Sequence, residues 1–382
     1  MTDTTVKVFN STLPGAPVLS GTAGSLIALL DACLVNGFGL KTLDSLVVSA
    51  GVATATVSTG HSAQVDTVIL VAGATPGALN GEQKVTGITT TTIQFAAPAV
   101  ADGPASGTIT VKLAPAGWTK AFTGTHLAAY RSGNVEASGC YLRLDDTAAC
   151  EARVLGYETL TDIATGTGVF PDLAGGYYWG KSDAANSTSR KWWLIANSRM
   201  VYLGLAHHSS YGTQYVVNAF GDLKSRKSAD AYRFIVTGYR SSYYSTTLFS
   251  NYSGCVYQSS ASQCALPRNY TQLGGLSYGY PIWWGPNTIS GSSGGWQYPN
   301  GADNGLWFSA IQFIESASKC LRGTLPGIYA TGQNLADGLT PEYLVTNVPE
   351  LPERKLLTKS IGSYSGDSRG YCWLDITGPW DA

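Results

Sequence analysis

Lys191-Trp192-Trp193-Leu194-Ile195-Ala196-Asn197-Ser198-Arg199-Met200-Val201-Tyr202-Leu203-Gly204-Leu205 is the stretch that decides the fold. Two runs of aromatic, β-branched and aliphatic residues flank the polar pair Asn197-Ser198, the pattern of a β-hairpin. Side chains alternate between faces along a strand, so the consecutive apolar residues load both faces. Both faces therefore need cover, and the hairpin is expected at the centre of a sheet, not at its edge. Trp192 and Trp193 are expected on opposite faces. Tyr215 to Phe220 supplies a third run and Tyr232 to Val236 a fourth. Phe220-Gly221-Asp222, closed by Ser228-Ala229-Asp230, has the composition of a surface loop between them.

Upstream, residues 1–22 read as an arm, with a short strand at Val6 to Phe9 before Pro14-Gly15-Ala16-Pro17. Apolar positions 26, 27, 30, 33 and 34 fall on one helical face. Thr22 or Ser25 is the expected cap, and Asn36-Gly37 the stop. From Leu43 to Leu113 the chain holds no Trp, Tyr, Cys or Arg. Short Val/Thr/Ala runs recur there at 46–48, 53–57, 68–71, 84–88, 92–95 and 108–113, the spacing of a small Ig-like β-sandwich or barrel. Aromatic residues return at Trp118, and the chain stays β-rich. Residues 241–305 carry long Ser/Gly/Tyr loops, and 311–321 reads as a short helix or a strand. The expected fold is thus mainly β and multi-domain: a small Ig-like sandwich plus a larger β-rich domain with one or two short helices. The boundaries are 1–42 for arm and helix, packing on the large domain; 43–115 for the inserted sandwich; and 116–382 for the large domain.

Composition narrows the function classes. A chain of 382 residues is long enough for two to three cores. Charged residues make up 13% of it, against ~25% in a typical globular protein. Hydroxyl, amide and Tyr groups keep such a surface wet and suit it to packing against other subunits. The net charge of −1, with no basic run longer than Arg226-Lys227, gives no footprint for nucleic acid. Met1 to Lys7 lacks the apolar core of a signal peptide, and no apolar run approaches the ~20 residues of a membrane span. Seven cysteines, an odd number at spacings that match no zinc pattern, are expected as buried free thiols, with Cys255 and Cys264 the first pair to suspect of a disulfide.

Searching for chemistry returns no catalytic, cofactor or metal constellation. Gly291-Ser292-Ser293-Gly294-Gly295 has the Gly-x-Ser-x-Gly spacing of a nucleophile elbow, but no histidine follows His208 to serve it. His207 and His208 point to opposite faces of an extended chain and do not share a metal. Asp145 and Asp146 diverge in the same way and read as turn residues, not a glycosidase couple. The aromatic residues Trp283, Trp284, Trp296 and Trp307 lie among Gly, Asn, Pro and Asp, the setting in which ring faces and amides hold sugars; a core or interface role is the alternative.

Gly15-Ala16-Pro17-Val18-Leu19-Ser20-Gly21-Thr22-Ala23-Gly24-Ser25-Leu26-Ile27, continued by Leu30-Asp31-Ala32-Cys33-Leu34-Val35-Asn36-Gly37-Phe38-Gly39, resembles the opening of virion structural proteins of tailed bacteriophages and prophages. Ala114 to Phe122, Phe220-Gly221-Asp222 with Asp230-Ala231-Tyr232, and Leu321 to Gly327 are similar to the same family. The resemblance implies a virion component without enzymatic activity or cofactor, assembled in the bacterial cytoplasm. Other virion proteins and further copies about a symmetry axis would be its partners, with no nucleic acid or membrane among them. Tail or baseplate is favoured over capsid decoration. A module recognising a host-surface glycan is the alternative.

Overall fold

The computed structural model describes residues 3–206, 208–209, 215–241, 255–256, 263–283, 297–333, 342–346, 348–361 and 370–380. Their architecture is mainly β and multi-domain, with one short helix, Ser25–Leu30, continued by a π-helical turn over Asp31–Asn36.

The quoted hairpin is Lys191–Ala196 and Met200–Ala206, paired in register with Trp192 opposite Leu205 and Ile195 opposite Tyr202. Asn197 makes its turn: the side-chain Oδ1 accepts from Arg199 N at 2.8 Å and Met200 N at 2.7 Å. The hairpin lies one strand in from the edge, because the arm strand Lys7–Asn10 pairs along Trp193 to Ala196. On the other side the sheet continues through Val216–Asp222, Phe234–Thr237, Cys264–Leu266, Ser277–Ile282, Ser309–Glu315, Leu321–Ala330, Gly370–Asp375, Leu356–Ile361 and Leu344–Val345. With Lys224–Ser225 paired to Leu321–Ala330 it has 13 strands among the described residues, each paired strand antiparallel to its neighbour.

This sheet rolls up on itself. Tyr215 bridges to Ile361 and Lys224 pairs with Thr324, which joins strands far apart in the sheet order. The Tyr202 hydroxyl donates to Pro326 O at 2.7 Å across the interior. Inside the roll lie Trp193, Ile195, Tyr202, Val217, Ile235, Cys264, Phe313, Ile328 and Leu374, all buried. Gly204, opposite Trp193, leaves room for the indole: a Cβ there would sit 2.1 Å from the ring. Trp192 faces outward into a second core, so the two tryptophans occupy opposite faces as expected.

That second core is shared with a five-stranded antiparallel meander, Trp118–Gly124, Leu127–Ser132, Tyr141–Asp145, Glu151–Tyr157 and Tyr177–Gly180. Trp118 and Trp179 pack on Phe220 with ring centroids 5.0 and 6.0 Å apart, and Phe170 and Trp118 meet Phe234. The helix joins the same core through Leu26, Leu29, Leu30 and Leu34.

Residues 38–113 form an eight-stranded, β-sandwich-like module whose strands, Ser45–Ser49, Val52–Thr56, Val68–Ala72, Gly81–Ile88, Thr92–Ala96 and Thr110–Leu113, match the recurring Val/Thr runs. Ala116 N donates to Cys33 O at 2.9 Å where the chain leaves and re-enters. Side-chain contacts tie the module to the rest of the chain. Lys84 donates to Ile376 O at 2.7 Å, Lys355 pairs with Asp66 at 2.7 Å, and Lys7 pairs with Glu82 at 2.8 Å.

Two expectations need correction. Neither Thr22 nor Ser25 caps the helix; Gly24 is the N-cap, in a left-handed conformation, and the carboxylate of Asp146, 120 residues away, takes its place. Asp222 and Asp230 are not surface-loop residues but are 4% and 1% exposed, because each is paired with an arginine. Of the two readings for residues 311–321, the structure has the strand, Ser309–Glu315, followed by a turn into Leu321–Ala330. All seven cysteines, Cys255 and Cys264 included, are free thiols. Burial pushes Cys140 and Cys372 up to about 12, which keeps both protonated and inert at neutral pH.

Candidate functional site

Strands Ser309–Glu315 and Leu321–Ala330 are neighbours, with Ser309 opposite Ala330. The residue before one and the residue after the other are therefore brought side by side. Gln333 Oε1 accepts from Trp307 N at 2.6 Å, and its Nε2 donates to Gln297 O at 3.1 Å and Gly305 O at 2.9 Å. One buried side-chain amide thus ties three backbone segments together. In the turn before Trp307, Asn304 N donates to Asn300 O at 2.7 Å, and Asp303 Oδ1 accepts from Gly305 N at 2.9 Å and Asn300 Nδ2 at 2.5 Å. Gly305 N, the Asn300 amide and the Trp307 indole together hold the Asp303 carboxyl below the usual range.

Beneath this turn Phe308 packs edge-on against Trp373 at 5.2 Å, in a small core with Val348, Leu356 and Tyr371. Above it Trp307 is 39% exposed. Trp307, Asn300, Gln333 and the exposed Glu350 surround a cavity of ≈ 320 Å3. Among the described residues its lining carries one carboxylate and no Lys, Arg or His. Glu350 comes from the turn that Leu351 N closes on Val348 O at 3.0 Å.

The four tryptophans singled out as glycan contacts separate. Trp307 borders the cavity. Trp283 is 6% exposed and belongs to the core inside the roll, with Phe313 and Leu266, so it offers no ring face and drops out. Trp284 and Trp296 lie outside the described residues, as do His207 and Gly291 to Gly295. Asn300, Gln333 and Glu350 were not singled out. The Asn300-Gly301-Ala302-Asp303-Asn304-Gly305 turn signal was visible in the sequence, whereas Gln333 and Glu350 reach the site only through strand pairing.

A larger cavity of ≈ 660 Å3 lies between the arm and the module, bordered by Gly15, Gly39, Lys41, His61 and Thr89. No Phe, Tyr or Trp among the described residues lines it, and His61 Nε2 is already 2.9 Å from Thr89 O. Despite its size it offers less for recognition than the Trp307 cavity.

Two buried ionic clusters are structural in character. Asp146, fully buried, accepts from Leu26 N at 2.8 Å and Ile27 N at 3.1 Å through Oδ2, and its Oδ1 meets the buried Lys181 ammonium. Burial raises the Asp146 carboxyl above its usual range, while Lys181 and the two amides pull it back. Arg322, 1% exposed, pairs with Asp230 and Glu315, each at 2.8 Å, tying Leu321–Ala330 to the 226–233 turn and to Ser309–Glu315. Among the described residues no group of three or more His, Cys, Asp or Glu converges as a metal site would require, and no helix is long and apolar enough to cross a membrane. No family model and no curated protein matches this chain.

Proposed function

We propose that this chain is a structural component of a tailed bacteriophage particle, assembled in the host cytoplasm and working through contacts with other virion proteins, in the tail or baseplate in preference to the capsid surface. The observation that carries this reading is where the resembling strings fall: three lie where the helix, the meander and the large sheet meet, and the Leu321–Gly327 string lies where the large sheet closes on itself. The Gly15–Gly39 string contains the helix whose first amides are gripped by Asp146. The Ala114–Phe122 string carries Trp118, whose ring meets Phe220 and Phe234 and whose indole donates to Asn197 O at 2.9 Å. Asp222 binds Ser138 of the meander at 2.8 Å, and Asp230 meets Arg322 of the Leu321–Gly327 string.

Residues that fix sheets against each other make a body able to hold its shape among many neighbours. A 13% charged composition limits the charge that such neighbours would have to desolvate. The eight-stranded module, which we read as Ig-like from its strand spacing, adds a lateral surface for further contacts. Copies are expected about a symmetry axis. Proteomic analysis of gradient-purified particles, with immunogold labelling, tests the reading. The chain should co-purify in constant ratio to the major virion proteins; its absence from intact particles overturns the assignment.

A further inference from the structure

We propose that the cavity at Trp307 is a binding site for one or two rings of a neutral pyranose sugar. This goes beyond the assembly reading and does not depend on it. The Trp307 ring is held at its edge by Asp303 and through its backbone by Gln333, so its half-exposed face is pre-positioned rather than mobile. Such a face complements the C–H face of a pyranose. Asn300 donates one Nδ2 hydrogen to Asp303, which leaves its second N–H and Oδ1, and exposed Glu350 makes no hydrogen bond or ion pair among the described residues. Acceptors outnumber donors around the ring, and a ligand whose hydroxyls both donate and accept, as those of a sugar do, fits them. A volume of ≈ 320 Å3 lies at the lower end of the ~300–1,000 Å3 common for small-molecule sites and suits one or two rings rather than a long chain.

Charge sets the specificity. With a carboxylate and no cation among the described lining residues, uronic, sialic or phosphorylated sugars meet repulsion without a compensating partner there. A quaternary ammonium would need an aromatic cage, and the second aromatic ring, Phe308, is engaged with Trp373.

Calorimetric titration and saturation-transfer NMR on the full chain test this with glucose, galactose, N-acetylglucosamine and their methyl glycosides, set against glucuronate and tetramethylammonium. At least one neutral sugar should bind saturably and glucuronate should not. Trp307→Ala should weaken binding about tenfold, the equivalent of one ring contact. Glu350→Gln should narrow the discrimination against glucuronate. Should Trp307→Ala lower the melting midpoint, Trp307→Phe, which keeps a ring face, and exposed Glu350 carry the comparison. Failure of every neutral sugar to bind overturns the proposal, as does preferred binding of tetramethylammonium or glucuronate. Binding that none of the three substitutions changes overturns it too. A chain that ignores sugars yet sits in the particle sinks this site alone; a chain that binds them and is absent from particles sinks only the assembly reading.

Discussion

Removing the Asp146 carboxylate should cost more than any exposed ion pair would suggest. Its side chain and that of Lys181 are both fully buried, and among the described residues Lys181 Nζ keeps only Thr22 O, at 2.7 Å, once Asp146 is gone. Breaking a buried pair from one side costs ~3–5 kcal/mol, because the orphaned charge stays desolvated. Losing the acceptor for Leu26 N and Ile27 N adds a helix-cap loss of ~0.5–2 kcal/mol. The two overlap, since one group makes both contacts, so Asp146→Ala should lose about 4 kcal/mol. The double variant Asp146→Ala/Lys181→Met removes the stranded cation and leaves mainly the cap loss, so it should recover about 2–3 kcal/mol of that. Denaturant melts give the magnitudes, and hydrogen-exchange mass spectrometry locates them, with protection falling first across 25–36. A single variant losing under about 1 kcal/mol, or a double variant less stable than the single, would refute the reasoning.

Trp192→Ala and Trp193→Ala should each cost about 3–5 kcal/mol in denaturant melts, since each ring fills a different core; a loss under about 1 kcal/mol for either would make that face peripheral. Burial lowers Lys84 to about 8, with Asp66 and Asp3 opposing. Between pH ~8 and ~10 the unfolded chain binds the proton that the folded one has released, so stability should rise with pH in that window. Melting midpoints of wild type and Lys84→Met at pH 7.5 and 9.5 check this; the wild type should gain on the variant, and equal pH responses would contradict it. Replacing residues 38–113 by a short Gly/Ser linker at the Cys33–Ala116 neck should leave a soluble chain that melts cooperatively; aggregation of that chain beside an independently stable 1–115 fragment would show the boundary to be misplaced.

What was legible in the sequence was what local patterning encodes. The Trp192–Leu205 hairpin announced itself through two continuous apolar runs about a polar turn and the module strands through alternating apolar residues and turns, and the structure has them within a residue or two at most ends. Less visible were the contacts that pair residues far apart in the chain. The Asp146 cap on Leu26 and the Arg322 pair with Asp230, 92 positions apart, leave no periodicity behind. Polar composition alone therefore placed Asp222 and Asp230 on the surface. The rolling of the sheet was hidden for the same reason, since it rests on the Tyr215–Ile361 and Lys224–Thr324 pairings. At the candidate site, loop composition marked Trp283 and Trp307 alike. The roll buries Trp283 at the end of Ser277–Ile282, whereas Trp307 follows a tight Asn/Asp/Gly turn that holds it at the surface.

The most direct test of the account is a reconstruction of the purified phage particle at a resolution that distinguishes side chains. It should contain this chain in fixed copy number about a symmetry axis. The rolled sheet, the meander and the eight-stranded module should fit as one body around the Asp146–Lys181 and Asp230–Arg322 pairs, with neighbouring virion proteins packed on its uncharged surfaces. A particle whose density is fully assigned without this chain would contradict the account.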